Sequence, residues 1–383
     1  MKNIDEMYQL ERFSKTDEEF ELYYENELKP KVEALEKERL KTMDLAKGQA
    51  KKLILPVAGL ILIYIFLSDL AFYAFAAVVL YGAYLFSDVR KQRKALSQKI
   101  KEEVVTDLVH FLNQNFTYEP RKYLAKKQFI RSNIFKNNPD RYSGDDLIKG
   151  FVGSDKKEVQ DIDGNPTKTD LSFSEVHAQK VERYRDKNGK TKERVHTIFQ
   201  GLFFIADYNK DFDGLTIVVP KKRKINILPS IFDSNSENKL EEVNLENIEF
   251  MDKFTVRTTD QITARYILTP NFMHRLMEFT TREPEKAEQQ ETQEQPKSIK
   301  EAFQMGLSAA SNSTTESYFE TAPYFSFRNG KMYFMLPTKK KHFEFNLLLP
   351  LNKDLIKSYF SDINIALELV DELNLNLRIW NKE

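Results

Sequence analysis

Hydrophobic positions follow different rhythms along this chain, and each rhythm predicts an element. From about Asp17 to Lys52, a charged and proline-poor segment carries Phe20, Tyr24, Leu28, Val32, Leu35, Leu40 and Met43 close to helical period. The spacing predicts a long amphipathic helix, kinked or restarted at Pro30. The stretch Leu53 to Phe86 is then apolar except for Ser68 and Asp69. Beyond it Leu96, Ile100, Val104, Leu108 and Leu112 recur every four residues down to the NQNFTYEP break, which predicts a second amphipathic helix. Two such helices can bury their stripes against each other as an antiparallel stalk.

The apolar stretch sets the class of the protein. As one helix its 34 residues would run about 51 Å, far beyond a hydrocarbon core of roughly 30 Å. Asp69 would also lie near mid-span, where a charge costs about 3 kcal/mol or more. Two spans of 15 and 17 apolar residues, turning at Ser68 and Asp69, avoid both problems. Their shortness leaves a re-entrant or interfacial hairpin as the competing expectation. Lys47, Lys51 and Lys52 precede the first span and Arg90, Lys91, Arg93 and Lys94 follow the second, so the positive-inside rule puts both termini in the cytoplasm.

From Tyr142 onward the texture changes to short β-type runs separated by turns, at Asp161–Pro166 and Asp186–Lys190 among others. A three-residue loop Lys187, Asn188, Gly189 would set Arg183 opposite Glu193, Glu182 opposite Arg194 and Val181 opposite Val195. A two-residue loop would oppose Arg183 to Arg194, so charge pairing favours the first register. The run VHTIFQGLFFIADYN reads as a buried strand, GLTIVVP as its return, and YFSFRNGKMYFMLP as a hairpin about Asn329 and Gly330. Thr269 and Pro270 start a helix that directs Phe272, Leu276 and Phe279 to a core. HFEFNLLLP reads as another strand, residues from Leu351 as a C-terminal amphipathic helix, and LNLRIW as a last strand. The fold class is therefore α+β: a two-helix transmembrane hairpin with long flanking cytoplasmic helices and a β-rich cytoplasmic domain. The expected segments are 1–52 helical, 53–86 transmembrane, 87–117 stalk, and 118–281 with 318–383 β-rich. The Glu-, Gln-, Ser- and Thr-rich tract 282–317 reads as a disordered insertion, with a short helix around Ile299–Ala309.

Composition narrows the chemistry. Fifty-eight basic residues balance 58 acidic ones, so no nucleic-acid partner is expected from overall charge. The chain has no cysteine, which removes disulfides, thiolate catalysis and Cys-based metal centres and suits a cytoplasmic bulk. The first 20 residues are acidic and lack an apolar core, so the hairpin itself is the expected insertion signal. No GxSxG, GxxxxGK[ST] or GxGxxG occurs.

The remaining constellations are weak. The loop Asp207–Gly214 echoes half a calcium loop, but counting from Asn209 puts Pro220 where a glutamate is required, and counting from Asp207 puts Phe212 at the glycine position. A polar turn is the better reading, and no metal or cofactor is expected. His177 and His196 do not converge in the favoured register, while His110, His274 and His342 stand apart in solvated or packed settings. Two basic runs, Lys221, Lys222, Arg223, Lys224 and Lys339, Lys340, Lys341, are turns that could contact anionic headgroups at roughly 1 kcal/mol per charge.

Several runs carry a family likeness: YEP near Tyr118, FIRSNIF at Phe129, the upstream apolar hairpin, FQGLFFIADYNKDFDGLTIVVP, ITARYILTPNFMHRL, FSFRNGKMYF and HFEF. In this order the chain resembles a bacterial family catalogued as domain of unknown function 3137. The resemblance implies a two-span protein of the bacterial cytoplasmic (inner) membrane facing the cytoplasm, and it carries over no activity. The expected function is a membrane-anchored scaffold or binding module, with the lipid bilayer and another membrane protein or a second copy as partners. The alternative is a membrane-tethered hydrolase or transferase whose carboxylates, such as Asp207, Asp211 and Asp213, converge only in the fold. A channel is disfavoured because the two short spans carry no buried charge.

Overall fold

The computed structural model describes residues 13–66, 68–153, 169–187, 189–207, 214–221, 240–281, 323–338 and 341–380. Expectations for the tract 282–317, for the 161–166 turn and for the loop 208–213 lie outside these residues. The architecture is α+β, with a long apolar N-terminal helix and a large antiparallel sheet. The described residues of 16–111 and 343–361 form one unit, and those of 1–15, 112–342 and 362–383 a second.

The helical unit starts at a capping box, in which the Glu19 amide donates to Thr16 Oγ1 and the Thr16 amide to Glu19 Oε2. Helix α1 (Asp17–Tyr23) runs through a π turn (Tyr24–Leu28) into α2 (Lys29–Phe66). The π turn stands directly ahead of Pro30, so the break predicted at the proline falls just before it. After a 3-10 turn (Ser68–Leu70) come α3 (Ala71–Leu85), α4 (Ser87–Lys99), a second π turn (Ile100–Val105) and α5 (Thr106–Leu112). The two π turns have a common cause. Apolar residues every four positions drift by about 40° per step on an α-helix of 3.6 residues per turn, and a wider turn takes up that drift. Leu96, Ile100, Val104 and Leu108 accordingly stay buried on one face, as do Phe20, Tyr24, Leu28, Val32 and Leu35.

Segments 17–52 and 87–111 run antiparallel, with the Tyr23 ring 4.0 Å from that of Phe111 and Lys99 Nζ 2.8 Å from Glu38. The Phe360 ring from the C-terminal segment stacks on Phe20 at 4.7 Å. Beyond Leu35 the stripe departs from the expected one, because Leu40 is 47% exposed and its neighbour Arg39 is buried. Arg39 is held by Glu36 at 2.7 Å and donates Nη1 to the Leu347 carbonyl, so its charge is compensated where it lies.

Helix α2 is long and apolar enough to cross a membrane by length and composition. Helix α3 and the segment from Ser87 to Leu112 meet the same measure only together, across a bend of 41°. Both apolar segments expose their large side chains, with Leu55 at 82%, Phe66 at 76% and Phe72 at 74%.

The second unit is a nine-stranded antiparallel sheet in the order β1-β2-β3-β4-β9-β8-β5-β7-β6. Its strands are β1 (Thr117–Glu119), β2 (Arg141–Val152), β3 (Thr169–Arg185), β4 (Thr191–Asp207), β5 (Leu215–Pro220), β6 (Glu241–Glu242), β7 (Phe254–Thr258), β8 (Tyr324–Arg328) and β9 (Lys331–Pro337). Short helices intervene: α6 (Lys126–Arg131), α7 (Ile248–Lys253), α8 (Gln261–Ile267) and α9 (Pro270–Thr281). The β3–β4 hairpin has the charge-paired register, with Arg183 opposite Glu193 and Val181 opposite Val195. A bulge at Ala178/Gln179 then shifts the pairing, and His177 faces Gln200. The β8–β9 turn is Asn329–Gly330, both at positive φ, and Thr269 Oγ1 caps α9 by accepting from the Phe272 amide.

The outer ends of β3 and β4 and the short β6 are exposed, whereas both faces of the central part of the sheet carry buried side chains. On one, Phe173, Phe204, Phe334 and Phe325 are direct cross-strand partners on β3, β4, β9 and β8, with centroids 5.0, 5.1 and 4.9 Å apart. On the other, Phe129 of α6 packs among Phe135, Phe199 and Phe203. Two expected strands are absent: residues 342–349 form turns, and LNLRIW continues helix α10 (Lys353–Trp380). In the first case Asn346 accepts from Leu348 through its side chain, a local turn that competes with strand pairing.

Candidate functional site

Helix α6 covers only part of its sheet face, and a cleft of about 540 Å³ opens where that cover stops. Its floor is two transverse rows of side chains on four neighbouring strands. In the upper row Lys149, Ser172, Ile205 and Tyr333 are successive cross-strand partners on β2, β3, β4 and β9. In the lower row Phe151 faces Asp170, and Asp207 faces Lys331. Gln128 and Arg131 of α6 form one wall, Asn115 and Thr117 another. The upper row is held by ladder pairing on both sides of each strand, while Phe151, Asp170 and Asp207 of the lower row have a ladder partner on one side.

Charges in the cleft are partly neutralised. Lys331 Nζ lies 2.6 Å from Asp207, and Lys149 Nζ 2.6 Å from Glu119. Arg131, exposed at the end of α6, makes no ion pair among the described residues. Burial raises the Tyr333 phenol above its ordinary pKa, while the positive charges of Lys331, Arg131 and Arg328 pull the other way.

A second cluster lies outside the cleft, on the Phe173 side of the sheet. Glu175 is half-buried on that face, stands between Asp145 on β2 and Leu202 on β4, and accepts from the His342 amide at 2.9 Å. Burial pushes its carboxyl up to about 7, with the negative charges of Asp145 and Asp146 adding to the effect and His342 opposing it. The His342 ring is itself buried, with Nδ1 3.0 Å from Asp362 Oδ2 of α10. Asp146 occupies the β2 bulge at positive φ and accepts from the Tyr118 hydroxyl.

The residues singled out from sequence fare unevenly. Asp207 belongs to the cleft, but Asp211 and Asp213 lie outside the described residues. So do Lys222, Arg223, Lys224, Lys339 and Lys340 of the basic runs. Lys221 is exposed with its ammonium on the Met251 carbonyl, and Lys341 is exposed. His196 pairs with Glu182 and His177 with Thr197. Among the described residues no group of three His, Asp or Glu is placed to hold a metal ion. Glu175 went unnoticed in the sequence, although an acidic residue at an inward position of LSFSEVHA was a usable signal.

A family model described as "Protein of unknown function (DUF3137)" matches residues 197–288 and 312–375. The match supports an uncharacterised family. The matched region runs from β4 through β9 and into α10. No curated protein matches the chain. Among solved structures, the crystal structure of the mycobacterial trehalose monomycolate transport factor A, TtfA, covers 70% of this chain and 96% of its own at 7% identity, with a TM-score of 0.30. A TM-score of that size is below that of a shared fold.

Proposed function

We propose that the chain is a two-pass protein of the bacterial cytoplasmic membrane, both termini cytoplasmic, whose β-rich domain is a binding module for a small molecule in the cleft. The cleft is the observation that carries the reading. About 540 Å³ suits a small ligand, four hydrogen-bonded strands form its floor, and its carboxylate Asp207 is tied to Lys331 rather than poised for proton transfer. The exposed apolar side chains of α2 and α3 support the membrane half of the proposal, since that surface is far more favourable in hydrocarbon than in water. Close approach supports two spans side by side: Leu53 lies 3.7 Å from where a Cβ on Gly82 would stand. The bilayer is thus one partner, and a second membrane protein or a second copy the other.

The test is native mass spectrometry of the full chain in nanodiscs. The expected result is a co-purified small molecule, retained in Ser172→Ala and lost in Ser172→Trp, which fills the cleft floor. The same bound mass in Ser172→Trp, or an empty wild-type cleft that also takes up no added small molecule, overturns the binding module.

The Glu175 cluster favours a second reading, a membrane-tethered hydrolase or transferase. A carboxyl pushed up to about 7 beside a histidine is suited to general acid–base work near neutral pH. This reading predicts that the co-purified molecule is chemically altered on incubation with wild type and not with Glu175→Gln. An unaltered molecule with both sets the reading aside.

A further inference from the structure

We propose that the end of the cleft lined by Arg131, Lys331 and Tyr333, with Arg328 beside it, is a subsite for an oxyanion, the carboxylate or phosphate head of the small molecule held there. The inference rests on the binding-module reading and names the chemistry of its ligand. It begins with the register of the β8–β9 hairpin, which sets Arg328 directly opposite Lys331. Like charges facing each other across an antiparallel pair destabilise it, so this arrangement calls for a counter-charge.

The protein supplies that counter-charge on one side only. Asp207, across from Lys331 on β4, takes the ammonium at 2.6 Å. Arg328 and Arg131 make no ion pair among the described residues, and the two are joined by Arg328 Nη1 donating to the Arg131 carbonyl at 3.4 Å. Two guanidinium groups next to a cleft are suited to a planar carboxylate or a phosphate, because each presents paired N–H donors. Tyr333 sits diagonally from Arg328, one row further in, and its partner on β8 is Ser326. Its phenol keeps its proton at neutral pH and can donate to the same oxyanion.

At the opposite, β2 end of the cleft the cation Lys149 is already paired with Glu119. Asp170 stands there beside Phe151. A ligand head is therefore directed to the arginine end, with its body over Ile205 and towards Phe151.

The experiment titrates full-length protein in phosphatidylcholine nanodiscs by ligand-observed NMR, with phenyl phosphate, benzoate, benzyl alcohol and soluble dihexanoylphosphatidate as probes. Phenyl phosphate and benzoate are expected to bind at least tenfold more tightly than benzyl alcohol. The double change Arg131→Gln with Arg328→Gln should weaken the anions at least tenfold, and Tyr333→Phe about threefold. Lys122→Gln, which alters a surface pair with Glu119, should leave them unchanged. Arg131 is exposed, so Arg131→Gln alone serves if the double variant fails to fold, and it should still weaken both anions. Tighter binding of the phosphatidate assigns the head to a lipid, tighter binding of phenyl phosphate to a free small molecule, and either supports the subsite. Equal binding of benzyl alcohol, or anion affinities unmoved by the arginine changes, overturns it. A neutral molecule co-purifying in a Ser172-dependent way would overturn the oxyanion subsite and leave the binding module standing. An empty cleft that also ignores every probe would end both.

Discussion

At Gly201 the backbone of β4 runs so close to β9 that a Cβ would stand 2.1 Å from the Leu336 carbonyl oxygen, and φ is +144°. A side chain there must both strain the backbone and push β9 away. Gly201→Ala is expected to lower stability by about 2–4 kcal/mol in denaturant unfolding, and a loss under about 0.5 kcal/mol would show that the strands give way cheaply. Glu175 is a residue whose contribution changes with pH. Its carboxyl is raised from 4.5 to about 7 in the folded chain, so between those values the native state binds the extra proton. Stability from this group is therefore greatest below about pH 4.5 and falls as pH rises through 7. Glu175→Gln keeps an oxygen for the His342 amide but removes the titration. At pH 8 the variant should be more stable than wild type by about 1–3 kcal/mol, with little difference in the penalty near pH 4. Equal pH slopes in the two proteins would mean that the carboxyl is not desolvated.

Among the elements, the helices after Asp17 and before Leu112 carry a prediction about the bilayer. In this cysteine-free chain, Ser68→Cys should react with an impermeant thiol reagent in intact cells and Ser97→Cys should not; reaction at position 97 would reverse the proposed orientation. Elements with a local cause were legible in the sequence. Glu193 reaches Arg183 because only one loop length avoids an Arg–Arg pair, and Thr269 caps α9 because the chain needs an acceptor three residues before Phe272. The π turns were hidden in plain stripes, since a four-residue repeat reads as helical unless its drift is followed to the end. What depends on distant partners was not legible. The Phe173–Phe204–Phe334–Phe325 row joins strands more than 100 residues apart in the chain, and nothing near Phe204 announces Phe334. The cleft has the same character: Asp207 stood out by its composition, but its partner Lys331 and the neighbour Arg328 lie across β-ladders that no local pattern sets.

The whole molecule is threaded so that neither unit is continuous in sequence. Residues 343–361 belong with the helices of 16–111, where Phe360 stacks on Phe20 and Lys357 pairs with Asp17. Cutting the chain before residue 112 therefore strips partners from its own C-terminal part. A fragment 112–383 is expected to bind a hydrophobic dye and melt well below the full chain. A chain in which 53–86 is replaced by a short Gly/Ser linker should be soluble and keep the full chain's melting point; the opposite ranking would mean that the helical unit needs the apolar segments to fold. The same threading places the β8–β9 hairpin between β4 and β5, in the middle of the sheet. On the ribosome this becomes a matter of timing. β4 and β5 emerge with apolar faces and one unpaired edge each, and the strands that will sit between them follow about 110 residues later. At roughly 5–20 residues per second the nascent chain waits on the order of 5–20 s with two open edges. On the proposed topology the apolar helices are already in the bilayer during that wait, so the unfinished sheet would be tethered there until its centre arrives.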